Sequence, residues 1–282
     1  RRRNVGWPKI GLGLFAIFIL LMFFGGLRGS RSNTVEALFW IVGAVHFLIR
    51  PVPRKLVCLG LLFLLSFMYI YGFYKEGGTH AFSGAQARQQ IAQKYGGRTF
   101  NGMLLGDLGR SDIQAYILYK LTTHMSDYSY AWGRTYLGAF SILIPHSILP
   151  DRPETTYREG TDIQNGSGTY VPNVTVSSRV YGLAGEAMLN FGPVSVPIAY
   201  ALFGLAVGWL RTVIHRLNPG DIRLFFAPLG VYVTIVTLGA DSDNLVYGLF
   251  KFTVVVGLLV FVCTDKLRQY SSSKAHSVPV VT

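Results

Sequence analysis

Six stretches of this chain are apolar over lengths that suit helices crossing a lipid bilayer. They run over about 10–27, 35–49, 56–74, 194–214, 224–240 and 245–264, the second and fifth being the shortest. A helix needs roughly 20 apolar residues to cross the hydrocarbon core. There the backbone must satisfy its own hydrogen bonds, which leaves only helices and closed barrels. No period-two alternation of barrel-strand length recurs, so a β-barrel is excluded. The expected fold class is all-α: a polytopic integral membrane protein with about six transmembrane helices. Only 14% of residues are charged, against roughly 25% in soluble domains, and the mean hydropathy of +0.37 points the same way.

The net charge of +12 suits either nucleic acid or an anionic lipid surface, and its distribution chooses between them. Arg1, Arg2, Arg3 and Lys9 precede the first run. Arg50, Arg54 and Lys55 separate the second from the third. Arg211, Arg216 and Arg223 lie between the fourth and fifth, and Lys266, Arg268 and Lys274 follow the sixth. All fall on one side if both ends of the chain are cytoplasmic, as the positive-inside rule requires. The long segment 75–193 then lies on the other side, with ten Lys/Arg against nine Asp/Glu. The excess charge is thus a topology signal, and a nucleic-acid partner is not expected. The chain divides into three helices over 1–74, an external segment with amphipathic helices over 75–193, three helices over 194–267 and a cytoplasmic tail over 268–282. It starts "RRRN", without Met, and reads as a fragment whose earlier spans are missing. No signal peptide is visible.

Cys58 and Cys263 lie inside apolar runs and read as small buried hydrophobes. No Cys/His spacing suggests a metal, and no phosphate-cradling glycine motif suggests a nucleotide, so neither metal nor cofactor is expected. Asn165-Gly-Ser167 and Asn173-Val-Thr175 are chance matches to a glycosylation acceptor.

Within the external segment a helix is expected over about 107–121. It would place Asp107, Arg110 and Gln114 on one face and Ile113, Ile117, Leu118 and Leu121 on an apolar one. Residues 133–150, "GRTYLGAFSILIPHSILP", are apolar for a surface segment and suggest a re-entrant or interfacial helix broken at Pro145. Residues 151–175 read as a loop. Ser177 or Ser178 can cap a further helix that runs to about Asn190 and stops at Gly192-Pro193. Its stripe of Val180, Leu183, Ala184, Ala187 and Met188 is opposed by Arg179, Gly182, Glu186 and Asn190. That pattern predicts an amphipathic helix at the outer interface. Glu186 would then face the headgroup region, either handling the polar head of a lipid-borne substrate or serving as a solvated or ion-paired residue of the helix face.

Two passages carry a resemblance: "GRTYLGAFSILIPHSILPDRPE", and "SSRVYGLAGEAMLNFGPVSVPIAYALFGLAVG" with its "GEAMLNFG" element. With "LGDLGRSDIQ" upstream, they resemble the external loop and following span of bacterial O-antigen polymerases, the Wzy-type oligosaccharide repeat-unit polymerases. The resemblance covers about 100–210. The chain departs from that pattern at Pro145-His146, where the family usually has Pro-Arg. It also departs at Arg152-Pro153, often Lys-Pro in the family, and at "GADSDNLVYG", which lacks the family's Arg-Gly-Asp. The resemblance implies transfer of a growing glycan from a polyprenyl diphosphate carrier to the terminal sugar of another carrier-linked repeat, at the outer face of a bacterial inner membrane. It implies as partners the carrier-linked oligosaccharide, membrane lipids and a chain-length regulator protein.

Such a reaction needs a base near the acceptor hydroxyl and cations for the departing diphosphate. Glu186 and His146 are the candidate catalytic groups, and Arg110, Arg134, Arg152 and Arg179 the candidate diphosphate ligands. Each Arg has the alternative of a surface ion pair. Asp112 and Asp151 are further carboxylate candidates, and Trp132, Tyr136 and Tyr181 are candidate sugar platforms or belt aromatics. Lys251, inside the sixth run, would snorkel, pair with Asp241 or Asp243, or contact phosphate. Gly204 and Gly208 form a GxxxG expected to pack helices within the chain. His46 is expected to be a hydrogen-bonded interior residue. The nearest competing activity is an O-antigen ligase, which transfers the glycan to a lipid acceptor. A polysaccharide transporter or flippase comes from another class and would predict repeated halves around a midplane cavity, for which Lys251 and Pro197 are the only hints.

Overall fold

A computed structural model describes residues 5–24, 31–77, 84, 100–123, 127–145, 147–171, 174, 179–218 and 221–275. The described residues form helices joined by turns and irregular segments, without a strand. Helix α1 spans Trp7–Phe24 and α2 Arg31–Ala44, the latter continuing as a π turn over Val45–Ile49. Pro51 and Pro53 force the break before α3, Arg54–Gly77. The later apolar helices are α8 (Ser195–His215), α9 (Ala227–Gly239) and α10 (Ser242–Ala275). Of these helices, α1, the Arg54–Gly72 part of α3, and α8 are long and apolar enough to cross a membrane. The apolar stretches Ala37–Ile49 and Arg223–Gly239 are shorter.

Side chains on these helices face outward to a degree that water would not tolerate. Leu12, Phe15, Leu59, Leu62, Leu205 and Trp209 are all more than half exposed, and α8 buries none of its residues. An apolar surface of this extent belongs against lipid or another apolar helix. Cys58 is exposed on α3, not buried, because α3 turns most of its surface outward. Gly204 and Gly208 also face open space, where an added Cβ would touch nothing. The GxxxG therefore packs against no other helix among the described residues. By contrast, α2 packs closely on α9 through Gly43, where an added Cβ would come within 2.8 Å of Pro228 Cβ.

Between α3 and α8 lie a π segment (Gly102–Leu108) and four short helices: α4 (Ser111–Thr122), α5 (Arg134–Ser141), α6 (Thr156–Asn165) and α7 (Gly182–Phe191). Their core joins Ile113 and Ile117 of α4, Ile163 of α6, Tyr181, and Met188 and Leu189 of α7. Three readings of this region change. The helix expected over 107–121 is broken at Arg110, whose φ of 53° is left-handed. Arg110 therefore precedes α4 and does not share a helical face with Gln114. Residues 156–165, read as loop, form α6, a polar helix whose Thr156, Glu159, Gly160, Thr161 and Asp162 are nonetheless buried. Helix α7 begins at Gly182, not near Ser177, and is buried along almost its whole length. It is a central helix of the segment between α3 and α8, not an amphipathic helix lying on its surface.

Candidate functional site

The centre of this segment is the carboxylate of Glu186, 3% exposed. Thr135 Oγ1 on α5 donates to its Oε1 at 2.7 Å, and the Ser242 amide at the start of α10 donates to Oε2 at 2.7 Å. The Ser242 hydroxyl donates to Oε1 as well. Asn190, one turn after Glu186 on α7, completes the chain of donors. Its Nδ2 donates to Thr135 Oγ1 at 2.7 Å and to the Glu186 carbonyl at 2.9 Å, while its Oδ1 accepts from the Gly133 amide at 2.9 Å. One side chain thus ties α5, α7 and α10 together. Glu186 is neither solvated nor paired with a cation among the described residues. The reading that put it at headgroup level is corrected: Gly182, Glu186 and Asn190, taken as a solvent face, line a polar interior.

Two more buried acids sit beside it, Asp241 on the short link between α9 and α10 and Asp243 just after it. Asp241 Oδ1 accepts from the Tyr181 and Gly182 amides at 2.7 and 2.8 Å, and so caps α7 from a distant segment. Thr156 Oγ1 on α6 lies 3.3 Å from Asp241 Oδ2. Asp243, in the first turn of α10, is also buried. Burial is the main force that raises the proton affinity of all three acids, opposed at Glu186 by the Ser242 and Thr135 hydrogen bonds. For Asp241, with Glu186 and Asp243 as like-charged neighbours, the pKa rises to about 8. The "GADSDN" turn that supplies Asp241, Ser242 and Asp243 entered the sequence reading only as a partner for Lys251 and as a stretch lacking the Arg-Gly-Asp of the family that the chain resembles. Two acids and a hydroxyl directly before an apolar run were the available signal.

The candidate arginines divide into two places. Arg134, first residue of α5, binds the buried Glu159 of α6 through Nε and Nη2 at 2.9 and 2.6 Å. The Tyr128 hydroxyl lies 2.9 Å from Glu159 Oε2 on that carboxylate's other side. Arg134 keeps 42% of its side chain exposed. On the opposite flank, Arg110 Nε approaches the Gly239 carbonyl at 3.4 Å, and Arg179 meets Asp112 at 3.3 Å in an exposed pair. Arg179 precedes α7, so it does not share a helix face with Glu186. Arg152 is half-buried. Burial, then the bonded Glu154 carboxylate, raises the pKa of the Tyr170 phenol, and Arg158 and Arg152 only partly oppose them. Asp151 is exposed. His146, the caps Ser177 and Ser178, and Asn173 lie outside the described residues. Lys251 is exposed and sits over the Phe252 ring at 5.4 Å, with no ion pair to Asp241 or Asp243. His46 accepts a hydrogen bond from the Val52 amide.

Beside the acids a groove of about 950 Å³ runs between α8, α9 and α10. Its walls are almost wholly apolar: Ile198, Leu202, Leu229, Val233 and Leu249 among them, with Tyr136, Phe191 and Ser195 at the end nearest Glu186. Tyr136 stacks on Phe191 at 24° between ring planes. Burial, then the Glu186 charge, keeps its phenol protonated well above the ordinary range. Trp132, at a left-handed φ of 49°, is exposed and edge-on to Tyr130 and Phe191. Tyr181 is fully buried, which removes it as a sugar platform. Three consecutive residues of α5 thus span the site: Arg134 presents a guanidinium, Thr135 holds Glu186, and Tyr136 walls the groove. Compared with known proteins, the chain matches no family model, no curated protein and no solved structure.

Proposed function

We propose that this protein is a membrane glycosyltransferase that polymerises polyprenyl-diphosphate-linked oligosaccharide repeats into a surface polysaccharide. In this reading it is a six-span protein of a bacterial inner membrane, with the segment 75–193 external. The observation that carries the proposal is α5, whose successive residues join a cation, a buried carboxylate network and a long apolar groove. A lipid-diphosphate glycan asks for those three things: a cation for its diphosphate, a base for the reacting hydroxyl and a groove for its hydrocarbon tail. The resemblance through "GEAMLNFG" supports the same chemistry.

In this reading the prenyl chain lies along the groove and the diphosphate meets Arg134, assisted by other exposed arginines of the segment. The acceptor hydroxyl oxygen attacks the anomeric carbon, and the bond from that carbon to the diphosphate oxygen breaks, its electron pair leaving with the diphosphate. Glu186 is too buried to touch a sugar, but Ser242 is only half-buried. The acceptor proton passes to Ser242 Oγ as the Ser242 hydroxyl proton passes to Glu186. Glu186 then acts as base through Ser242, the Ser242 and Thr135 hydrogen bonds holding its ionised form against the burial that opposes it.

The test is loss of the gene followed by electrophoresis of the surface glycan. Collapse of a length ladder to single repeats supports the polymerase. A ladder of normal length that stays on its carrier assigns the ligase instead, and an unchanged surface glycan rejects both.

A further inference from the structure

A second cavity, of about 550 Å³, opens at the far end of α8. Arg211 lies sixteen residues beyond Ser195, or about 24 Å along the helix at 1.5 Å per residue. The cavity therefore sits a large part of a membrane thickness away from the groove end beside Glu186. Its walls are mostly apolar, with Phe47, Leu210, Ile214 and Val231 among them. Among the described residues its polar lining is Arg211, His215, His46 and Thr234, with no carboxylate. Thr234 is committed to the Gly230 carbonyl at 2.9 Å. Arg211 and His215 are four apart on α8, on one face. The His46 Nδ1 accepts from the Val52 amide at 3.1 Å, so the neutral ring carries its proton on Nε2 and offers a donor there.

We propose that this cavity holds one anionic phospholipid. Its phosphate meets the Arg211 guanidinium and the imidazoles of His215 and His46, and an acyl chain lies along Phe47, Leu210 and Ile214. Donors without an acidic partner select an anion, and basic pockets between membrane helices suit anionic headgroups. The apolar walls select a lipid over a free phosphate, which would leave them uncovered. The bland competitor is a pair of cations at a helix C-terminus that favours anionic lipid without a site.

The full chain, purified in neutral detergent, is tested by native mass spectrometry with phosphatidylglycerol and phosphatidylcholine of identical acyl chains. Phosphatidylglycerol should be retained at one per chain with about fivefold or greater preference, the worth of one well-placed cation. Arg211→Gln should remove that preference, whereas Arg216→Gln, an exposed cation outside the cavity lining, should keep it. Excess glycerol phosphate should not displace the lipid. Equal retention of the two lipids by the unaltered protein overturns the proposal, even if Arg211→Gln fails to fold. Equal loss in both variants overturns it in favour of diffuse charge, and displacement by glycerol phosphate overturns it in favour of a soluble anion.

Discussion

At the scale of single residues, three acids share a buried interior with no cation beside them among the described residues, and burial raises the proton affinity of each. Asp241 is the clearest case, its folded pKa of about 8 standing against an ordinary 3.8. The raised value means that the folded state keeps a proton which the unfolded chain releases. Stability from this group is therefore greatest below about pH 4 and falls as pH rises towards 8, by at most about 1.4 kcal/mol per pH unit. Glu186 and Asp243 shift in the same direction and add to the same slope. Asp241→Asn keeps an acceptor for the Tyr181 and Gly182 amides and offers Thr156 a permanent donor. It should flatten the dependence of the melting temperature on pH between 5 and 8, whereas an unchanged slope would place the titration elsewhere. Little of this was legible in the sequence. Glu186 stood out, but small and polar neighbours such as Gly182 and Asn190 line a polar interior as readily as a wet surface, and only the partner elements decide which.

At the scale of elements, the apolar helices were legible and the polar ones were not. Runs of Leu, Phe and Val leave a bilayer-length helix few alternatives, and Gly192-Pro193 did end α7 where the sequence placed its stop. Helix α6 escaped because "TYREGTDIQN" has no apolar stripe; Glu159 buries itself on Arg134 and Tyr128 instead. The start of α7 escaped because its cap is not local: Asp241 supplies it from about sixty residues away. Gly182 makes that cap possible, with φ of +67° and an imagined Cβ only 2.7 Å from the Leu238 carbonyl. Gly182→Ala should cost about 1–3 kcal/mol from the backbone alone, read as a lower midpoint of thermal unfolding in detergent. A midpoint equal to that of the unaltered protein would mean that α7 does not need this close approach to the end of α9.

At the scale of the whole molecule, the site is assembled from residues that the sequence keeps far apart. Thr135, Glu186 and Ser242 meet because the turn between α9 and α10 returns to the short helices α5 and α7, and no periodicity announces such a return. The clustering of Lys and Arg predicts a sidedness that can be measured. In a chain lacking Cys58 and Cys263, a cysteine at Val174, 76% exposed, should react with an impermeant reagent in intact spheroplasts. One at Asn218, exposed between α8 and α9, should react only after lysis. The reverse pattern would put the acids on the cytoplasmic side, away from the proposed substrate.

The central claim is that Glu186 serves transfer chemistry and not merely the joining of α5, α7 and α10. Glu186→Gln separates the two, because Gln can still accept from the Ser242 amide while its Nε2 donates to the hydroxyls of Thr135 and Ser242. Purified protein given a polyprenyl-diphosphate oligosaccharide should release carrier diphosphate and build a ladder of products. The variant, melting within a few degrees of the unaltered protein, should be slower by about a hundredfold or more, as expected for loss of a general base. A normal ladder from Glu186→Gln at normal rate would contradict the account and leave Glu186 as a structural tie alone.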